Sequence, residues 1–131
     1  MSHFTTIKTQ FVSKEYLEQA LADVREEFGF GEVRLNSNVS GYGGGTTQAE
    51  LVVATRNQGY DIGFRQKGKN YELVADWYGI NDIKQEQLTS RLNQRYAYNT
   101  VKDQLDQQGF SLVEEELQEN KTIHLTLRRA Q

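Results

Sequence analysis

The sequence predicts an α+β domain: an antiparallel sheet of about six to seven strands with two helices packed on one face, in the order β-α-β-β-β-β-α-β-β. Three observations carry that prediction. Two stretches, near 14–28 and 82–108, repeat apolar residues every three or four positions, the period of a helix face. Several shorter stretches alternate apolar with polar residues, the period of a strand. Polar turn clusters separate neighbouring strands by too few residues for a parallel crossover, so the pairing is antiparallel.

Thr5, Ile7, Thr9 and Phe11 alternate as an opening strand. Ser13 then caps a helix over about 14–28 by accepting the N–H of Glu15 or Tyr16, and Val12 with Leu17 occupies the two positions of a hydrophobic staple. Leu17, Leu21, Val24 and Phe28 share one helical face, and Gly29 supplies a left-handed stop. Four strands follow: a short, weak one at Glu32–Asn36, then Ala49–Arg56, Tyr60–Gln66 and Tyr71–Trp77, the last two joined by the turn Lys67-Gly68-Lys69-Asn70. In that pair Ile62, Phe64, Leu73 and Ala75 fall on one face, while Asp61, Gly63, Arg65, Glu72, Val74 and Asp76 fall on the other, which is predicted to stay largely polar. Asp82 and Gln85 read as a capping box opening a long helix that carries Leu88, Leu92, Tyr96, Val101 and Leu105 and stops at Gly109. A final hairpin places Val113 and Leu117 against Ile123, Leu125 and Leu127 across a turn at Glu119-Asn120-Lys121.

With 131 residues, no proline and no linker-like tract, the chain reads as one domain over 1–131. Both helices end in Gly-Phe and precede a hairpin. That pattern fits a diverged duplication of a βαββ unit, and it also fits the ordinary local chemistry of a helix stop.

Composition narrows function chiefly by exclusion. No cysteine occurs, which removes disulfides, thiolate metal sites and cysteine nucleophiles and fits a reducing compartment. A net charge of −3 gives no general attraction to phosphate backbones or anionic lipid. Arg56, Arg65, Lys67, Lys69, Arg91 and Arg95 have acidic residues interleaved among them, so no nucleic-acid partner is expected. The first seven residues lack a basic stretch leading into an apolar run, and no run of about 18 apolar residues occurs, so neither secretion nor membrane insertion is expected. The two histidines, His3 and His124, lack a nearby ligand at metal-binding spacing, so no metal and no cofactor is expected.

Four constellations remain. Gly41-Tyr42-Gly43-Gly44-Gly45 lacks the lysine of a phosphate loop and precedes a strand rather than a helix, so it reads as a long hairpin loop within 37–48. Asp76-Trp77-Tyr78 concentrates acid and aromatic at a strand end. It is read either as a site or as a core tryptophan beside a capping carboxylate. Arg95 and Tyr98 on the long helix have the composition of a recognition surface. His124 belongs to the polar face of the last hairpin, alongside Thr126, Glu114 and Glu116.

The opening Met1-Ser2-His3-Phe4-Thr5-Thr6-Ile7-Lys8-Thr9 begins a longer pattern. It continues through Tyr60-Asp61-Ile62-Gly63-Phe64, Tyr71 to Trp77, Gln94-Arg95-Tyr96-Ala97-Tyr98 and Gln108-Gly109-Phe110. Together these segments resemble the hypothetical chloroplast reading frame thirty-five family, of unknown function. The resemblance implies a protein of the cyanobacterial cytosol or plastid stroma, in a setting that supports photosynthesis, and it carries over no catalytic residue.

The expected function is a non-enzymatic interaction, assembly or regulatory module with a protein partner, using the open sheet face and the loops at 37–48 and 76–82. The alternative is a small-molecule-binding protein or enzyme, with Arg65, Asp76, Trp77, Tyr78 and His124 around a pocket between sheet and helices. Monomer and homodimer fit the sequence equally.

Overall fold

The computed structural model describes residues 3–117 and 123–129. Seven strands and three helices follow in order: β1 (Thr5–Lys8), α1 (Lys14–Asp23), α2 (Arg25–Phe28), β2 (Arg34–Ser40), β3 (Thr46–Ala54), β4 (Asp61–Lys67), β5 (Asn70–Ala75), α3 (Gln85–Gln107), β6 (Phe110–Leu117) and β7 (Ile123–Arg129). Every pairing is antiparallel. The class is α+β, as the periodicities predict, with the strands divided between a five-stranded sheet, β1-β5-β4-β3-β2, and a two-stranded one, β6-β7. Two compact units result, 1–96 and 97–131. Among the described residues no helix is long and apolar enough to cross a membrane.

In the first unit the predicted helix over 14–28 forms as α1 and the one-turn α2, broken at Val24, and Gly29 closes it in the left-handed conformation at φ 69°. Ser13 Oγ accepts from Tyr16 N–H at 3.2 Å, so the cap is as expected. The expected staple is different. Val12 is 55 % exposed, and Phe11 is the residue that enters the core, because Tyr96 Oη on α3 accepts from the N–H groups of both Val12 and Ser13 and fixes the entry to α1. Leu17, Ala20, Leu21 and Val24 of the α1 segment and Leu88 and Leu92 of α3 pack on Leu51, Val53, Ile62, Phe64, Leu73 and Ala75, which the register places on one sheet face. Arg91–Glu27 at 2.8 Å and Arg95–Asp23 at 3.1 Å join the helices at the rim of that core.

The opposite sheet face is not left open. β2 continues to Ser40 and β3 begins at Thr46, so the expected loop over 37–48 is largely paired strand with a short turn at its tip. Asn36 adopts φ +48° within β2, opposite Glu50, and this irregularity divides the hairpin into two halves. Leu51 and Val53 belong to the helix-covered core, whereas Ala49, only two residues before Leu51, packs with Val39, Val52 and Phe4 in a separate cluster. Residues two apart on a flat strand share a face, so β3 must twist sharply at Glu50 and carry the hairpin tip over the second face.

Two details follow from that path. β3 leaves β4 beyond the Leu51↔Phe64 pair, and the N–H of Gln66 is taken instead by Glu50 Oε2 at 3.2 Å. Gly63 provides the room, because a Cβ there would overlap a Val39 methyl and press on Ala49. The polar residues beneath the hairpin are buried in consequence and satisfied internally. Asp61 accepts from Ser40 N–H and pairs with Arg34 at 3.2 Å, and Glu72 pairs with Arg65 at 3.2 Å, whose guanidinium also reaches Thr47.

In the second unit α3 ends at Gln107 and Gly109 adopts φ 90°, the predicted stop. β6 and β7 pair from Phe110↔Arg129 to Leu117↔Ile123 with a register shift between Leu112 and Glu114, and Arg129 lies over the Phe110 ring at 5.2 Å. The predicted turn at 119–121 lies outside the described residues.

Gly63→Ala forces a methyl into a filled space, and overpacking of this kind costs about 1–3 kcal/mol. Adding Val39→Ala restores the space, so the double variant loses less stability in urea denaturation than the sum of the single losses, by at least about 0.5 kcal/mol. Strict additivity contradicts the folded-over hairpin.

Candidate functional site

Asp76 lies just beyond β5, where the chain leaves the sheet for a 3₁₀ turn over Trp77–Gly79. Its side chain caps that turn, Oδ1 accepting from Tyr78 N–H at 3.1 Å, and not the long helix of the capping alternative, which starts only at Gln85. Oδ2 accepts from Tyr42 N–H at 2.9 Å and from His3 N–H at 3.1 Å. One carboxylate thus joins the segment before β1, the tip of the β2–β3 hairpin and the turn after β5. The hairpin tip comes this close because residue 41 is glycine; a Cβ there would crowd Asp76 and the Phe4 ring.

Asp76 is fully buried. Burial pushes its carboxyl up, but the N–H groups of Tyr42, His3 and Tyr78, with the nearby His3 side chain, outweigh that and hold it below its ordinary value. The carboxylate is therefore ionised and wholly engaged.

The three residues that donate to it also bring their rings together. Tyr42 and Tyr78 meet edge to face with centroids 5.4 Å apart, and His3 stands 6.3 Å from each. Tyr78 is 70 % exposed and Tyr42 43 % exposed. Tyr60 lies close by, its hydroxyl pushed up by burial and then by the charge of Asp76 and the neighbouring Tyr78 and Tyr42. Trp77 packs on the main core, with its indole N–H buried and unpartnered.

The residues singled out from sequence divide among several places. Asp76, Trp77 and Tyr78 are together. Arg65 sits beside Glu72, which is four strand residues and about 13 Å along β5 from Asp76 at the usual rise per residue. Arg95 is engaged by Asp23 on α1. Tyr98 is a half-buried α3 residue of the second unit. His124 pairs with Glu116 in the β6–β7 register, and its side chain lies outside the described residues. Asp82 does not cap α3, which starts at Gln85; it accepts from Asn57 at 2.7 Å and from Arg56 at 3.3 Å.

Two open clefts lie elsewhere on the first unit. One of about 300 Å³ is lined by Lys8, Thr9, Lys67, Asn70, Tyr71 and Glu72, and one of about 360 Å³ by Ile7, Gln85, Glu86, Thr89, Ser90 and Asn93. Neither includes Arg65, Asp76, Trp77 or Tyr78.

His3, Tyr42 and Tyr60 are the site residues that sequence reasoning passes over. Tyr42 carried a signal, since it is a lone large ring among four glycines. His3 carried none, because only the folded chain brings it to residue 76.

Asp76→Asn replaces an acceptor of three N–H bonds by a group that presents donors to donors, and should cost about 2 kcal/mol or more at neutral pH. Because the folded value is depressed, that contribution is complete above the unfolded carboxyl's value near 3.8 and is lost as pH falls through the lower folded value. Urea denaturation should show a gap between the two proteins at neutral pH that narrows in acid as the Asp76 carboxylate is protonated. A gap independent of pH down to the acid transition contradicts the assignment.

Residues 20–126 match a family model described as "Protein of unknown function (DUF1257)". The chain is 39 % identical to "Uncharacterized protein ycf35" of Guillardia theta, with 98 % of each chain covered. It is 32 % identical to the protein of that name from Trieres chinensis, covering 92 % of this chain and 91 % of the other, and 29 % identical to that from Cyanophora paradoxa, covering 98 % of each. No solved structure matches. The resemblance read from the opening, central and helical segments is thereby confirmed, and the chain belongs to the ycf35 family, whose family model is described as a protein of unknown function.

Proposed function

We propose that this protein is a non-enzymatic interaction module whose recognition surface is the patch formed by His3, Tyr42 and Tyr78 over Asp76. The observation that carries this reading is the pairing of exposure with fixation. Two tyrosine rings face solvent, and the backbone N–H of each residue is held by one buried carboxylate. Tyrosine offers a large contact area at the cost of few rotatable bonds, and fixing its backbone before binding lowers the ordering entropy of association.

The small-molecule and enzyme alternative is less well supported. Its residues occupy separate places, and the carboxylate at the patch, Asp76, has both oxygens occupied by N–H donors and is shielded from solvent. Such a carboxylate positions its neighbours and is not presented to a substrate as a base. The family resemblance supports placing the module in a cyanobacterial cytosol or plastid stroma, with a protein partner in that compartment and a role supporting photosynthetic biogenesis.

A photo-crosslinking phenylalanine analogue at position 78, expressed in the native cell, should give a discrete adduct. The same analogue at Gln19, on the exposed side of α1, should not, and Tyr42→Ala should reduce the yield from position 78. Equal adduct patterns from the two positions, or none from position 78, overturn this reading.

A further inference from the structure

The buried carboxylates of the five-stranded sheet set up a comparison. Three acidic residues are buried there: Asp61, Glu72 and Asp76. Asp61 pairs with Arg34, and Glu72 pairs with Arg65. Asp76 has no lysine or arginine paired with it among the described residues; its partners are three backbone N–H groups.

Above Asp76 the surface is made of rings. The centroids of His3, Tyr42 and Tyr78 form a triangle with sides of 5.4, 6.3 and 6.3 Å. A point about 3.5 Å above its plane lies about 5 Å from all three centroids, within the roughly 6 Å range of cation–π contacts; with the Tyr42 and Tyr78 planes 84° apart, a planar guanidinium there stacks on one ring and meets the other obliquely. Tyr78 and Tyr42 are both exposed, so their rings can be reached from outside.

We propose that the patch receives an arginine side chain of the protein partner, seated on Tyr42, Tyr78 and His3 above the Asp76 carboxylate. This inference rests on the reading of the patch as the recognition surface. Charge complementarity selects the occupant, since the π-faces and the carboxylate all favour a cation. Arginine is favoured over lysine because its planar guanidinium stacks on rings and sheds water more readily than an ammonium group. The partner's arginine would sit in the field of the Asp76 charge without touching the carboxylate, unlike the direct Arg34–Asp61 and Arg65–Glu72 pairs.

The test uses the full 131-residue chain and three blocked tripeptides, acetyl-Gly-X-Gly-amide, with X as arginine, lysine or citrulline. Citrulline keeps the shape of arginine and removes its charge. Titration followed by backbone amide NMR should shift the Tyr42 and Tyr78 signals with the arginine peptide. Its Kd should be at least about tenfold lower than that of the citrulline peptide, and lower than that of the lysine peptide. Tyr78→Ala, a change at an exposed side chain that leaves the core intact, should weaken the arginine response at least about fivefold. Equal binding of arginine and citrulline, tighter binding of lysine, or no shift with any peptide overturns the arginine assignment. Those results leave the recognition surface itself standing, because crosslinking from position 78 reads it without reference to charge.

Discussion

The fold of the first unit turns on one buried carboxylate. Removing Asp76 from water carries a desolvation cost that a protein tolerates only when the charge is met by donors. The donors here are the N–H groups of residues 3, 42 and 78, which belong to three segments far apart in sequence. Meeting the charge therefore gathers the chain start, the hairpin tip and the turn after β5 at one point. The aromatic patch is the outer surface of that gathering, since each N–H that Asp76 holds belongs to a residue whose ring forms the patch.

The same constraint explains why the sheet has no open face. A hairpin drawn to residue 76 must cross β4 and β5, and it does so over Gly63, with Val39 and Ala49 on its underside. Asp61 and Glu72 on that face are then buried and paired with the more exposed guanidinium groups of Arg34 and Arg65. On the helix side Arg91 and Arg95 are engaged by Glu27 and Asp23. The broad open sheet face expected from alternation alone is therefore covered by the hairpin, and the exposed rings gather at the sheet end.

Much of the local structure was legible in the sequence. Ser13 as a cap, Gly29 and Gly109 as helix stops, and the Tyr60–Trp77 hairpin with its two-faced alternation all follow from short-range chemistry that acts within a few residues. The second half of β2 was not legible, because Ser37, Asn38 and Ser40 carry little strand propensity and are held in place by pairing with β3. The fold-over was hidden for a related reason. Gly63 reads as one small residue in an alternating strand, and the left-handed Asn36 has no distinctive neighbour, so neither announces the long-range contact it serves. At the site, Asp76, Trp77 and Tyr78 stood out because they are contiguous. His3 and Tyr42 join them through tertiary structure alone.

Hydrogen exchange tests this most directly. The amides of His3 and Tyr42 lie outside the strand ladders, and on a chain organised by Asp76 they should exchange slowly, together with Tyr78 and at rates approaching those of β5. Exchange of the three amides at the rate of exposed loops, with β5 still protected, would show that the carboxylate does not hold these segments together.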